Sequence, residues 1–99
     1  MTHRVSSKAA ADLDDIMFYV ATESGSFEIA ECLIASITAR FSLLAGRPYL
    51  GRSRDADFGS GSRSLPVGEY VIVYTVEDEN ALILRVVHGR RDLEALFGG

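Results

Sequence analysis

The 99-residue sequence has no tryptophan, two prolines, two histidines and one cysteine. With Cys32 as the only thiol, no internal disulfide can form, so a core must hold the fold and a reducing, cytoplasmic compartment is predicted. His3, His88 and Cys32 supply too few ligands for a zinc-type cluster at any usual spacing, so no metal and no cofactor are predicted. The opening stretch MTHRVSSKAAADLDD has no apolar h-region, which predicts no signal peptide. No unbroken apolar run approaches the ~18 residues of a membrane span, so no membrane partner is predicted. Gly59-Ser60-Gly61-Ser62 is glycine-rich but lacks the Lys of a phosphate-binding loop. No nucleophile elbow is present either, so His88 has no serine to activate in a triad.

What remains is an ordinary globular composition, 47% hydrophobic and 24% charged, on a chain sized for one domain over 1–99. The net charge of −4 is unevenly spread. Residues 1–39 carry two basic and six acidic groups, whereas 40–63 carry five arginines against two aspartates. Residues 64–84 hold four acids and no base, and 85–99 hold three arginines against two acids. Nine of the ten basic residues are arginine, the side chain suited to planar, bidentate pairing with carboxylate or phosphate.

Hydrophobic periodicity predicts two helices. Leu13, Ile16, Met17 and Val20 recur at i, i+3, i+4, i+7 after a capping serine, Ser6 or Ser7. Asp12, Asp14 and Asp15 then fall where the helix dipole favours acids. After the break Glu23-Ser24-Gly25-Ser26, a second stripe runs through Phe27, Ala30, Ile34, Ile37, Phe41 and Leu44 and stops at Gly46-Arg47-Pro48. The pair makes an antiparallel helical hairpin. Residues 47–62 read as loop. From Arg63 the period becomes two, giving strands over 63–67, 70–76 and 82–87, with Pro66 placing the first at an edge. His3-Arg4-Val5 adds a possible short edge strand. The expected fold is α+β: the hairpin packed on a small antiparallel sheet of three to four strands, with a short C-terminal helix at Leu93, Leu96 and Phe97.

Both faces of the predicted strands are apolar, whereas a sheet with one wet face alternates. The hairpin covers one face, so the other needs the C-terminal segment, a partner chain, or both. The chemistry-bearing residues left over are Arg63, Tyr74, Arg85, His88, Arg90 and Arg91. A metal-free ribonuclease needs a base, cations and an acid, and this set could supply them. Alternatively Arg85 and Arg91 pair with Asp92, Glu69 or a partner's carboxylates while His88 closes the strand end.

The stretches AAADLDDIMFYV, LAGRPYLGR, RSLPVGEYVIVY and ILRVVHGRRD, spread along residues 9–92, resemble the ParE branch of the ParE/RelE toxin superfamily. The joint pattern Pro48-x-x-Gly51-Arg52, then Arg63, Gly68, Tyr70, Tyr74, then Arg85-Val-x-His88-x-x-Arg91-Asp92 carries that resemblance. It implies the toxin of a type II toxin–antitoxin system in a hetero-oligomer with a ParD-like antitoxin. That antitoxin would be a ribbon-helix-helix protein whose C-terminal segment wraps the toxin and which alone contacts DNA. It further implies that Arg63, Tyr74, Arg85, His88, Arg90 and Arg91 bind antitoxin or target, with no catalytic residue, and that DNA gyrase is the target. The RelE branch, which cleaves mRNA on the ribosome without metal, is the alternative. Its members resemble basic proteins with a strand arginine and a catalytic Tyr or His near the C-terminus. This chain is acidic, has Val71 near the arginine's place, and ends Leu96-Phe97-Gly98-Gly99. Thr75 stands where ParE members often carry arginine. A third possibility is a module serving only as an antitoxin-bound co-repressor.

Overall fold

Ser6 is the hinge between sheet and helices. In the computed structural model, which describes residues 2–54 and 61–90, its backbone is extended and its Oγ accepts the Ala9 N–H at 3.0 Å. This caps helix α1, Ser7–Ser24. The same hydroxyl donates to the Leu84 carbonyl at 2.8 Å, and the Ser6 N–H donates to Ile83 O at 2.9 Å. One side chain therefore starts the helix and fixes it to the sheet. Ser6→Ala is expected to lower stability by about 1–2 kcal/mol in chemical denaturation, since both a cap and a sheet contact go. An unchanged midpoint would assign the docking to packing alone.

Helix α1 ends at Gly25, whose φ of 70° suits a residue without Cβ. Ser26 caps α2, Phe27–Gly46, by accepting the Ile29 N–H at 3.2 Å. The expected stripes hold with two changes. Phe27 stands 62% exposed, outside the core. Asp12, Asp14 and Asp15 lie beyond the first turn of α1, which contains no acid, so the helix dipole does not account for them. Helix α2 has a mean hydropathy of 1.5 over a span long enough to cross a membrane, although Glu28, Glu31 and Arg40 interrupt its apolar run. Its Ile37, Phe41 and Leu44 pack into the core shared with the sheet.

Among the described residues the sheet has five strands, one or two more than expected, and is mixed rather than purely antiparallel. Its members are β1 His3–Val5, β2 Arg52–Ser53, β3 Ser62–Val67, β4 Tyr70–Glu77 and β5 Asn80–His88. They are ordered β1-β5-β4-β3-β2, and β1 runs parallel to β5. Three residues of β1 give no sequence signal of direction; the chain crosses from β1 to β5 through the hairpin and then β2, β3 and β4. β2 hides in the polar 47–62 stretch because two residues have no period. Pro66 lies past the end of β2, where β3 has no outer neighbour to require its missing N–H.

A register shift between β4 and β5 sets which residues meet the helices. Val73 pairs with Arg85 but Tyr74 pairs with Ile83, so Leu84 is the extra residue of a bulge. Tyr70, Ile72 and Tyr74 of β4 thus share the helix-facing core with Ile83 and Val86 of β5, although Ile83 and Val86 are three apart. They pack against Ala9, Ile16, Ile37, Phe41 and Leu44. Val73 and Val87 belong to the opposite face and are buried there with Ser62 and Ser64. The expected C-terminal helix lies outside the described residues.

Candidate functional site

The five described members of the predicted set separate into three places. The first joins the end of α2 to the sheet. Tyr74 is fully buried; its hydroxyl donates to Pro48 O and accepts the Gly51 N–H, both at 2.8 Å. Paired opposite it, Arg63 donates Nε to Gly51 O at 3.0 Å and Nη2 to Tyr49 O at 3.2 Å. Its guanidinium stands 5.4 Å from the Tyr49 ring centroid. Together these two side chains pin residues 48–51 against the sheet edge. Burial leaves the Tyr74 hydroxyl no route to a substrate or partner, so it acts by shaping this loop.

At the second place α1 meets the bulge. Arg85 forms a two-pronged pair with Asp12, Nε to Oδ2 at 2.8 Å and Nη2 to Oδ1 at 3.1 Å. Asp12 Oδ2 also accepts the Val86 N–H at 2.9 Å. β1 leaves β5 at Ile83, and this carboxylate takes over part of the strand edge that β1 abandons. Arg85 therefore pairs with Asp12, where the sequence reading offered Asp92, Glu69 or a partner. That partner is 73 residues away and reads locally as an ordinary helix-surface acid.

The third place is the open end of β4–β5. The His88 ring meets Tyr70 edge-on, with centroids 5.4 Å apart. Its Nε2 is 3.8 Å from an exposed Glu69 carboxylate oxygen, an ion-pair distance too long for a hydrogen bond. Arg90 is exposed and lines a cavity with Glu69 and His88. A larger cleft of about 550 Å³ adjoins it, bounded by Tyr19, Val20, Glu23 and Ser24 of α1, Leu33 of α2, and Glu69, Tyr70 and His88. Arg91 lies outside the described residues.

The five described residues thus form no single constellation. More than 70 positions of sequence separate Asp12 from Arg85, and Asp12 is the member that sequence reasoning missed. Among the described residues no group of three or more His, Cys, Asp or Glu side chains could hold a metal ion. Cys32 is a free, exposed thiol on α2. The hairpin's outer surface carries large apolar side chains: Phe18 is 75% exposed and Ile29 55%, in addition to Phe27.

A family model described as the ParE toxin of the type II toxin–antitoxin system parDE matches residues 4–93. Toxin ParE3 of Caulobacter vibrioides is 32% identical over 89 residues, covering 90% of this chain and 87% of that protein. Toxin ParE1 of the same organism is 30% identical over 96 residues, 97% of each. Among solved structures, a chain of the chromosomal ParDE toxin–antitoxin system from P. aeruginosa superposes with a TM-score of 0.76. It is 26% identical over 89% of this chain and 95% of its own length. A chain of the Mycobacterium tuberculosis RelBE2 toxin–antitoxin complex is also 26% identical, with a TM-score of 0.59 over 88% of this chain and 95% of that one.

Proposed function

The chain belongs to the ParE toxin family of type II toxin–antitoxin systems, and from that premise we propose that it acts in the cytoplasm by binding a target protein. DNA gyrase is the target, a ParD-like antitoxin is the neutralising partner, and the toxin performs no covalent chemistry of its own. One observation supports the binding reading beyond kinship: the hairpin presents Phe18, Phe27 and Ile29 to solvent, as a surface awaiting another chain does. The non-enzymatic reading draws support from the residues a ribonuclease would use. Arg85 is engaged by Asp12 and Tyr74 is sealed beneath residues 48–51.

Induction of the chain in a bacterial host is the test. Growth should stop, resume when the antitoxin from the neighbouring gene is co-expressed, and leave mRNA uncut by primer extension. Discrete codon-positioned cuts would replace this reading with ribosome-dependent mRNA cleavage. The Phe18→Ser, Phe27→Ser double variant should keep its melting temperature, because exposed substitutions shift stability by only about ±0.5 kcal/mol each. Its affinity for the antitoxin by calorimetric titration should fall about tenfold or more if these rings are central contacts. Undiminished affinity would move the antitoxin off this surface.

A further inference from the structure

One surface turn is held far more firmly than a connection between elements requires. Residues 47–50 form a four-residue turn closed by the Leu50 N–H on Arg47 O at 3.1 Å. Pro48 occupies its second position, where a fixed φ suits the bend. Tyr74 bridges Pro48 O and the Gly51 N–H, and Arg63 donates to Tyr49 O and Gly51 O. All of these hydrogen bonds end on main-chain atoms of the turn, so none requires a large side chain at positions 49 and 50. Yet Tyr49 stands there 63% exposed and Leu50 44% exposed. The Tyr49 ring is oriented as well, with the Arg63 guanidinium 5.4 Å from its centroid.

Closing the sheet edge accounts for Pro48, Gly51, Arg63 and Tyr74, and leaves the two apolar side chains at the tip without a task. A rigid aromatic beside an aliphatic, both in water, is what a protein-binding anchor needs, because nothing further has to be ordered when it docks. We infer that the Tyr49-Leu50 turn is the toxin's anchor on its target protein. It enters an apolar pocket of that protein, deep enough for a phenol ring, whose rim carries a carboxylate for the exposed Arg47. The sign of that rim follows from the place of Arg47 at the opening of the turn, and not from the stretch as a whole, in which Asp55 and Asp57 follow Arg54. Position sets the anchor apart from the surface proposed for the antitoxin. Helix α2 spans 20 residues, about 30 Å, with Phe27 and Ile29 at its start and the turn beyond its end.

This rests on the reading that the toxin acts by occupying its target, and it adds where the grip lies. The test compares the parent chain with Tyr49→Ser, Leu50→Ser by melting temperature, calorimetric titration with the antitoxin, and the toxin concentration that half-inhibits gyrase supercoiling. The double variant should melt within a few degrees of the parent and bind antitoxin with unchanged affinity. Its half-inhibiting concentration should rise about tenfold or more. Leu50→Ser alone, at a side chain outside the clamp, should give a smaller rise and reads the same contact if the double variant fails to fold. Tyr49→Phe, which keeps the ring, should lose less than Tyr49→Ser. Arg47→Glu should also weaken inhibition, by setting like charge against the rim. Val5→Ser, a comparably exposed apolar change on the opposite sheet edge, should leave inhibition unchanged. Full inhibition by the folded variants, equal loss in Val5→Ser, an Arg47→Glu chain as potent as the parent, or a fall in antitoxin affinity matching the loss of inhibition would each overturn the inference. In all four cases the parent's own inhibition leaves the proposed function standing. A parent chain without effect on gyrase would overturn the proposed function, and the anchor with it.

Discussion

Gly51→Ala should destabilise the fold by about 3 kcal/mol or more, seen as a melting temperature lowered by roughly 12–24 °C in circular dichroism. A Cβ there would sit 2.5 Å from the Tyr74 hydroxyl oxygen, 2.7 Å from Tyr74 Cε1 and 2.7 Å from the Ser64 carbonyl oxygen. The last is backbone of β3 and cannot swing aside, so residues 48–51 must lift from the sheet. That movement breaks the Gly51 N–H to Tyr74 bond and the Tyr74 to Pro48 bond, each worth about 1 kcal/mol, and leaves a buried phenol unpaired. Gly46→Ala is the control, since its Cβ would meet nothing within 4 Å. It should be neutral or slightly stabilising in a helix. Adding Tyr74→Phe to Gly51→Ala should recover only part of the loss, because the Ser64 carbonyl remains in the way. A Gly51→Ala protein as stable as the parent would refute the clamp.

The second large effect is expected at Asp12. Asp12→Ala removes both prongs holding Arg85 and the acceptor of the Val86 N–H. Hydrogen bonds to a charged group contribute about 1.5–3 kcal/mol, and a stranded, partly buried charge adds a penalty. Arg85 retains 35% exposure, so water recovers part of that penalty and the net cost should be about 2–3 kcal/mol by urea denaturation. Asp14→Ala, an exposed neighbour on the same helix, should cost little. Arg85→Lys should recover less than half of the pair, since an ammonium cannot make both contacts in one plane. If Asp12→Ala behaves like Asp14→Ala, the tie between α1 and the bulge is ornamental. A loss of antitoxin affinity on changing Arg85 must then be compared with Asp12→Ala before it counts as a direct contact.

The helices were legible because each buries one stripe, and a stripe at helical spacing leaves a mark in sequence. The β4–β5 ribbon was legible for the same reason at period two. What escaped was whatever depends on very few residues. β2 has two residues, β1 three, and neither announces its partner or direction. The Leu84 bulge is a single extra residue, yet it moves Val86 onto the helix face beside Ile83. Sequence alternation extended straight through it assigns Val86 to the wrong side. The site was legible as a pattern before it was legible as geometry. Pro48, Gly51, Arg63 and Tyr74 stood out together, and the structure supplies the reason: one hydroxyl and one guanidinium hold that turn by its main-chain atoms. The Asp12–Arg85 pair left no such trace, because an aspartate on a helix surface has many ordinary reasons to be there.

Much of the predicted binding set therefore serves the fold, and the surfaces left for partners are the apolar outside of the hairpin, the His88 and Arg90 end of the ribbon, and the Tyr49-Leu50 turn after α2. On the proposed reading the toxin acts by occupying a protein, with Arg63 and Arg85 holding structure in place of chemistry. The direct measurement is a DNA gyrase supercoiling assay with the purified chain, run with and without its antitoxin. The account predicts loss of supercoiling or accumulation of cleaved DNA at roughly stoichiometric toxin, reversed by antitoxin. Full gyrase activity in a large molar excess of folded toxin would contradict it.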